Sequence, residues 1–288
     1  MSDDEVFLLV GGIVLALWIT LRWCALLVQS PQGRRAQAEF LWLILAPLAA
    51  FAGILVVIIG ASSADVRDAP SYIALYCAAG IVWFTAGGMA MRYLGISARD
   101  DAVERRNLAA AIVVMGAVFA HAAIYAGANI GNGPGWWTVL AAAAIGSGAW
   151  LALWSLVEAC CGISEKVTVD RDVPAAIRLA GYAFAMGIVC GRGAAGDWTS
   201  LDRTMIEFAA AWPVLPMTGA AIAIENFSRA NMPQGSMALS TIVAVAYLGV
   251  AVAAVHYSGA LPHNPEYDYL GRPASFEGPS LQPLKSSP

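Results

Sequence analysis

Charged side chains inside apolar stretches are the residues of this sequence most able to do chemistry. Arg178 lies within AAIRLAG, and Glu158 and Glu225 stand near the ends of two other apolar stretches. A charge is costly inside a membrane helix, so it usually faces the bundle interior or a partner. These residues predict a polar intramembrane cluster of Glu158, Arg178 and Glu225, suited to ion pairing or to ion passage. Snorkelling of Arg178 to the lipid headgroups is the alternative.

A second polar set, comprising Arg192, Asp197 and Glu207, follows at the other end of the same apolar stretch. Structural pairing is favoured over ion passage here, because exposed ion pairs are common and weak. His121 stands alone in its apolar stretch and predicts a hydrogen bond to a neighbouring helix. A proton relay and haem ligation are the alternatives, although haem would need a second histidine at the depth of His121, which His256 does not match.

Pro213 and Pro216, in AAWPVLPMTG, predict a break in the seventh apolar helix. Backbone carbonyls freed by proline are usually satisfied by neighbouring helices, and coordination of a cation or substrate is the alternative. The sequence contains neither a nucleophile with an adjacent base nor a metal-ligand cluster nor a cofactor motif. We therefore expect a protein that is not an enzyme, with no metal, no cofactor and no nucleic-acid partner.

Composition determines which elements must position these residues. Of the 288 residues, 59% are hydrophobic and only 12% are charged, about half the charged fraction of a soluble domain. Apolar runs of about twenty residues, the length that spans a bilayer as a helix, recur along the chain. The pattern predicts an all-α, polytopic transmembrane bundle with the lipid bilayer as its surroundings. Its eight helices are expected at 6–28, 40–60, 72–94, 107–128, 137–160, 174–194, 205–225 and 236–258.

The distribution of basic residues predicts the orientation of the bundle. With eight spans, eleven Lys and Arg residues fall on one side and five on the other. The side richer in Lys and Arg is usually cytoplasmic, so both termini are expected outside. The bundle is expected to occupy residues 1–259. The proline-rich segment 260–288 has no helical period and predicts an extended tail on the outer side.

An internal repeat relates two of the helix starts. RRNLAAAIVVMGAVFA aligns with DRDVPAAIRLAGYAFA, which pairs Arg106 with Arg171 and Asn107 with Asp172. Asn and Asp accept hydrogen bonds from the free N–H groups of a helix start, so Asn107 and Asp172 predict helix caps.

The repeat extends to three helical hairpins of the same orientation, at 34–97, 105–164 and 171–228. Two of the hairpins close with related sequences, YLGIS and CCGIS. Gly95 and Gly162, within these sequences, occupy positions typical of a glycine that ends a helix. Hairpins in one orientation make a parallel repeat, in contrast to the inverted repeats of many transporters.

Small residues line one face of the fourth and of the sixth predicted helix. Without a hydrophobic force between helices in lipid, small residues favour close backbone packing, so both faces predict tight helix–helix contact. The fourth helix carries Ala109, Gly116, Ala120, Ala123 and Gly127. The sixth helix carries Ala176, Ala180, Ala183, Gly187 and Ala194.

A family resemblance rests on several short segments. They are NLAAA from Asn107, ISEKV from Ile163, AAIR ending at Arg178 and GRGAAGDW from Gly191. With these segments, residues 72–225 resemble an uncharacterised bacterial inner-membrane family, domain of unknown function 350. The resemblance implies pairs of membrane helices and a bacterial inner membrane, and it implies no activity.

Three functions are compatible with these patterns. The first is a channel-like or transporter-like bundle whose path passes the Glu158, Arg178 and Glu225 region. The second is a structural or accessory subunit that packs on other membrane subunits or on copies of itself. The third is a haem-binding redox subunit. Transport predicts a water-accessible cavity that reaches Arg178 or Glu225, whereas the subunit hypothesis predicts a dry core of small residues.

Overall fold

A computed structural model describes residues 2–28, 38–131, 133, 135–196, 198, 201–231 and 235–258. These residues form helices and no strand, which confirms the all-α membrane bundle. The long helices are α1 (Asp3–Val28), α2 (Ala38–Ala61), α4 (Pro70–Ala90), α5 (Leu108–Ala128), α6 (Trp136–Cys161), α8 (Val173–Ala194), α10 (Val214–Asn231) and α11 (Met237–Tyr257). The short helices are α3 (Ala64–Arg67), α7 (Ile163–Thr168) and α9 (Leu201–Phe208), with 3-10 turns at Met91–Leu94 and Ala209–Ala211 and a π-helical turn at Ala98–Glu104.

Eight helical segments among the described residues are long and apolar enough to cross a membrane. The seventh, Thr204–Ala230, combines α9 and α10. Its helix is interrupted at Pro213, as predicted, whereas Pro216 lies in the first turn of α10. The predicted end of this span at Glu225 was wrong. Because α10 continues to Asn231, Glu225 lies well inside the helix and its side chain is 2% exposed.

The outward faces of the bundle are apolar. Large side chains such as Phe7, Trp18 and Val56 are more than half exposed, and Val252 on α11 is equally uncovered. In water such surfaces would be unfavourable, whereas in a bilayer they contact acyl chains. Lipid contact therefore accounts for these faces, and the bundle is a multi-pass membrane protein.

Three parallel helices, α5, α8 and α11, form a row through the molecule. On α5 and α8, Gly116 contacts Ala180 and Ala120 contacts Gly187. The residue numbers rise together along the two helices, so the helices run parallel. Similarly, Arg178 contacts Ser240 and Tyr182 contacts Tyr247 across α8 and α11. We call the end where the three helices begin the basic end. α5 and α8 are the two most buried spans, with α2, α4 and α6 packed around them.

The contact between α5 and α8 is a direct backbone contact. A Cβ added to Gly187 would lie 2.4 Å from the Ala120 Cα, and one added to Gly127 would lie 2.1 Å from the Gly191 carbonyl oxygen. Such distances are too short for any side chain larger than hydrogen. The tight packing predicted from the small-residue stripes is therefore confirmed.

The starts of α5 and α8 have the same local geometry. Arg106 and Arg171 both have left-handed backbone conformations, with φ of 51° and 54°. The following Asn107 and Asp172 accept hydrogen bonds from the N–H groups of Ala110 and Ala175, as predicted for caps. Both connections therefore turn into their helix in the same way.

Two glycines and one long-range hydrogen bond also shape the connections that lead into α5 and α8. Gly95 and Gly162 end their helices with φ of 84° and 54°, a region that glycine enters without steric cost. The Asn107 side chain also donates from Nδ2 to the Val167 carbonyl oxygen at 2.7 Å, which ties the start of α5 to α7. Two predicted features, the start of the hairpin 34–97 and the tail 260–288, lie outside the described residues.

Candidate functional site

Arg178 and Glu225 form the centre of a buried polar cluster at the basic end. Arg178 lies in the second turn of α8, and Glu225 faces it from α10. The guanidinium donates from Nε to Glu225 Oε1 at 2.7 Å and from Nη2 to Oε2 at 3.0 Å. This two-bond arrangement is the strongest geometry available to an arginine and a carboxylate. The structure therefore pairs Arg178 with Glu225 instead of directing it to the surface.

Lys166 is the second cation of the cluster. Its Nζ donates to Glu225 Oε2 at 3.1 Å and to the Glu225 carbonyl oxygen at 3.0 Å. The short helix α7 turns Lys166 inward, where only 7% of it is exposed. Lys166 was not part of the cluster predicted from the sequence. The missed signal was its place in a six-residue amphipathic helix beside the buried Ile163 and Val167.

Two serine hydroxyls complete the surroundings of the guanidinium. Arg178 Nη1 donates to Ser240 Oγ on α11 at 2.8 Å, and Nη2 donates to Ser228 Oγ on α10 at 3.2 Å. Four helices, α7, α8, α10 and α11, therefore meet at one point. We call Lys166, Arg178, Glu225, Ser228 and Ser240 the basic-end cluster.

The basic-end cluster carries more positive than negative charge. Two cations, Lys166 and Arg178, share a single carboxylate, Glu225, and all three side chains are less than 10% exposed. A buried ion pair is stable only when further hydrogen bonds support it, and here Ser228, Ser240 and the Glu225 carbonyl oxygen accept from the two cations. The shared carboxylate nevertheless leaves one unit of positive charge uncompensated within the cluster.

Glu158, the third residue of the predicted cluster, has other partners. Its Oε2 accepts from the Ser164 N–H at 2.8 Å and its Oε1 from the Ser164 hydroxyl at 2.6 Å. Both bonds are local, because the chain turns from α6 into α7 at Gly162. The prediction that Glu158 pairs with Arg178 was wrong. Glu158 instead fixes the first turn of α7, the helix that carries Lys166.

A lateral groove reaches the basic-end cluster from the lipid-facing side. α10 and α11 both pack on α8 and have little contact with each other, which leaves a groove of about 360 Å³. Four polar residues, Arg178, Ser228, Ser236 and Ser240, are among those that line it. Its apolar walls are formed by Ala223, Ile224, Phe227, Leu239 and Val243.

The predicted outer polar set is only partly described. Arg192 is buried in the last turn of α8, and Glu207 projects from α9 against Gly196. Asp197 lies outside the described residues. Nearby, a polar cavity of about 160 Å³ includes Glu5, and Tyr72 donates to Glu5 Oε2 at 2.8 Å on its rim. The sequence analysis did not predict this cavity.

His121, on α5, packs in the apolar core of the bundle. Its Nδ1 lies 2.9 Å from the Ala117 carbonyl oxygen in the same helix, so the predicted bond to another helix is not formed by this nitrogen. Trp150 stands edge-on to the imidazole at 4.9 Å, and an added Cβ at Gly87 would lie 2.3 Å from the His121 Cγ. These close neighbours leave no room for a porphyrin beside the ring.

Residues 63–194 match the family model described as Domain of Unknown Function (DUF350). The match agrees with the predicted resemblance, although the matched range begins and ends earlier than expected. Lys166 and Arg178 lie inside the matched range, whereas Glu225 and α11 lie beyond it. No curated protein and no solved structure matches the chain.

Proposed function

We propose that this bundle, which contains the region matching DUF350, is a non-catalytic structural or accessory subunit of a membrane assembly. The observation that carries the proposal is the backbone contact between α5 and α8, in which Gly187 meets Ala120 and Gly127 meets Gly191. A path for ions or solutes would need polar groups and space between such central helices. Instead, alanine and glycine fill this interface so closely that an added methyl group would overlap the facing backbone.

The outer faces of the bundle support binding to other membrane helices. Gly53 and Gly60 on α2 and Gly249 on α11 have open space where a side chain would be. In lipid, helices associate where small residues let their backbones approach. The partners proposed for these faces are the other membrane subunits of the assembly.

Co-purification tests this role. The full-length tagged chain is extracted from its membrane in a mild detergent, cross-linked and identified together with its partners by mass spectrometry. We expect a partner at fixed stoichiometry, lost in a Gly53→Leu variant and retained in a Val56→Leu variant, since Val56 is already a large exposed side chain. Recovery of copies of this chain alone would contradict the accessory-subunit role, and a lone monomer would contradict any assembly.

Transport remains a second candidate because the lateral groove reaches the guanidinium of Arg178. This candidate predicts flux through the purified protein in liposomes, altered by Arg178→Met and by Glu225→Gln. Unchanged flux in both variants, or none in the native protein, would eliminate it.

The proposed location is a bacterial inner membrane with the basic end in the cytoplasm. Support comes from the Arg and Lys residues that follow the membrane spans on that side, among them Arg92, Arg105 and Lys166.

A further inference from the structure

We propose that the lateral groove between α10 and α11 binds an anionic phospholipid. The phosphate would lie beside Arg178, Ser236 and Ser240, and an acyl chain would follow the apolar walls. The inference holds whether the protein is a subunit or a transporter, since it concerns a site on the lipid-facing surface.

The charge of the basic-end cluster determines the sign of the ligand. Lys166 and Arg178 share the carboxylate of Glu225 and leave one unit of positive charge buried. A buried charge is costly without a counter-charge. The monoanionic phosphate diester of a lipid headgroup supplies one negative charge and therefore neutralises the cluster.

The geometry places the guanidinium of Arg178 beside the groove. The Arg178 Nη1 lies next to Gly235, where an added Cβ would be 3.4 Å away, so the absence of a side chain keeps this part of the groove open. Nη1 donates to the Ser240 hydroxyl, and Arg178, Ser236 and Ser240 are all among the residues that line the groove. Arginine and hydroxyl groups are common donors to phosphate oxygens.

The shape and depth of the groove favour a lipid over a small soluble anion. Arg178 lies five residues beyond Val173, about 7.5 Å along α8 at 1.5 Å per residue. Its long side chain points back toward the helix start, as helical side chains do. The guanidinium is thus near the level where headgroups meet acyl chains, and Ile224, Leu239 and Val243 continue the groove deeper along the helices.

Native mass spectrometry of the delipidated full-length protein measures the binding. Phosphatidylglycerol and phosphatidylcholine, with matched acyl chains, are added separately at equal concentrations. We expect about fivefold tighter binding of phosphatidylglycerol, the effect of one positive charge at a membrane surface. Equal binding of the two lipids would overturn the proposal.

Two charge variants test the cluster. Arg178→Met leaves Glu225 paired with Lys166, so the cluster becomes neutral and the preference for phosphatidylglycerol is expected to disappear. Glu225→Gln leaves both cations and adds one unit of positive charge, so binding is expected to rise about fivefold. A merely misfolded protein would not gain affinity. No change in either variant would refute the charge argument.

A matched pair of bulky substitutions tests the groove itself. Ala223→Trp fills the apolar wall, whereas Ala238→Trp places the same side chain on α11 outside the groove. Only Ala223→Trp is expected to release phosphatidylglycerol, and equal binding by both variants would exclude the groove. Inorganic phosphate alone is added as a further competitor. If millimolar phosphate displaces the lipid, the site binds free anions and the lipid proposal fails.

Discussion

Replacing Gly187 by alanine is expected to destabilise the bundle although alanine is the better helix former. The added Cβ would lie 2.4 Å from the Ala120 Cα, against the 3.4 Å at which ordinary contacts begin. The two helices would therefore have to separate by about 1 Å, and that gap removes a quarter to a half of each dispersion contact. Overpacking of this kind costs about 1–3 kcal/mol.

Gly249→Ala is the matched control, because no atom lies within 4 Å of the position where its Cβ would be. There the change is expected to stabilise the protein by about 0.5–1 kcal/mol, since alanine loses less backbone entropy than glycine in a helix. The free energies of unfolding of the two variants should therefore differ by about 1.5–4 kcal/mol, with opposite signs against the native protein. Equilibrium unfolding in mixed micelles measures both. If Gly187→Ala proves as stable as Gly249→Ala, the proposed backbone contact between α5 and α8 is wrong.

The remaining predictions concern the buried charges, the helix caps and the orientation. Glu225→Ala leaves two buried cations without a counter-charge and should cost about 3–5 kcal/mol of unfolding free energy. Arg178→Met should cost less, because Lys166 still pairs with Glu225, and equal losses in the two variants would contradict the shared carboxylate. Asp172→Ala should lower the unfolding free energy by about 1 kcal/mol because it removes a helix cap. Asn107→Ala should lower it more, because it also removes the hydrogen bond to Val167. Equilibrium unfolding measures both losses, and the reverse order would refute this reasoning. A reporter active only in the periplasm should be active when fused to the C-terminus, and an inactive fusion would overturn the proposed orientation.

The spans and their tightest contact were predictable because they depend on local composition. Apolar length determines the number of spans, and the stripes containing Gly116 and Gly187 identify the faces of α5 and α8 that meet. The caps at Asn107 and Asp172 were also predictable, since each accepts a hydrogen bond only three residues away.

The composition of the basic-end cluster was only partly predictable. Arg178 and Glu225 were identified because their charges interrupt apolar stretches. Lys166 was missed because its burial depends on where α7 packs, a contact with a residue 59 positions later. Glu158 was misassigned because the turn at Gly162 brings Ser164 within its reach. Such long-range packing and local turns are not encoded in hydropathy.

The partners of Arg178 have a consequence for the biosynthesis of the protein. Glu225, Ser228 and Ser240 follow Arg178 by 47, 50 and 62 residues, so all three lie in spans that come after α8 in the chain. Helix α8 therefore enters the membrane with an unneutralised arginine, and the cost of burying it is offset only when α10 and α11 arrive. A chain truncated before α10 retains both cations and lacks their carboxylate. The partners of Arg178 are therefore complete only when the last two spans have been inserted.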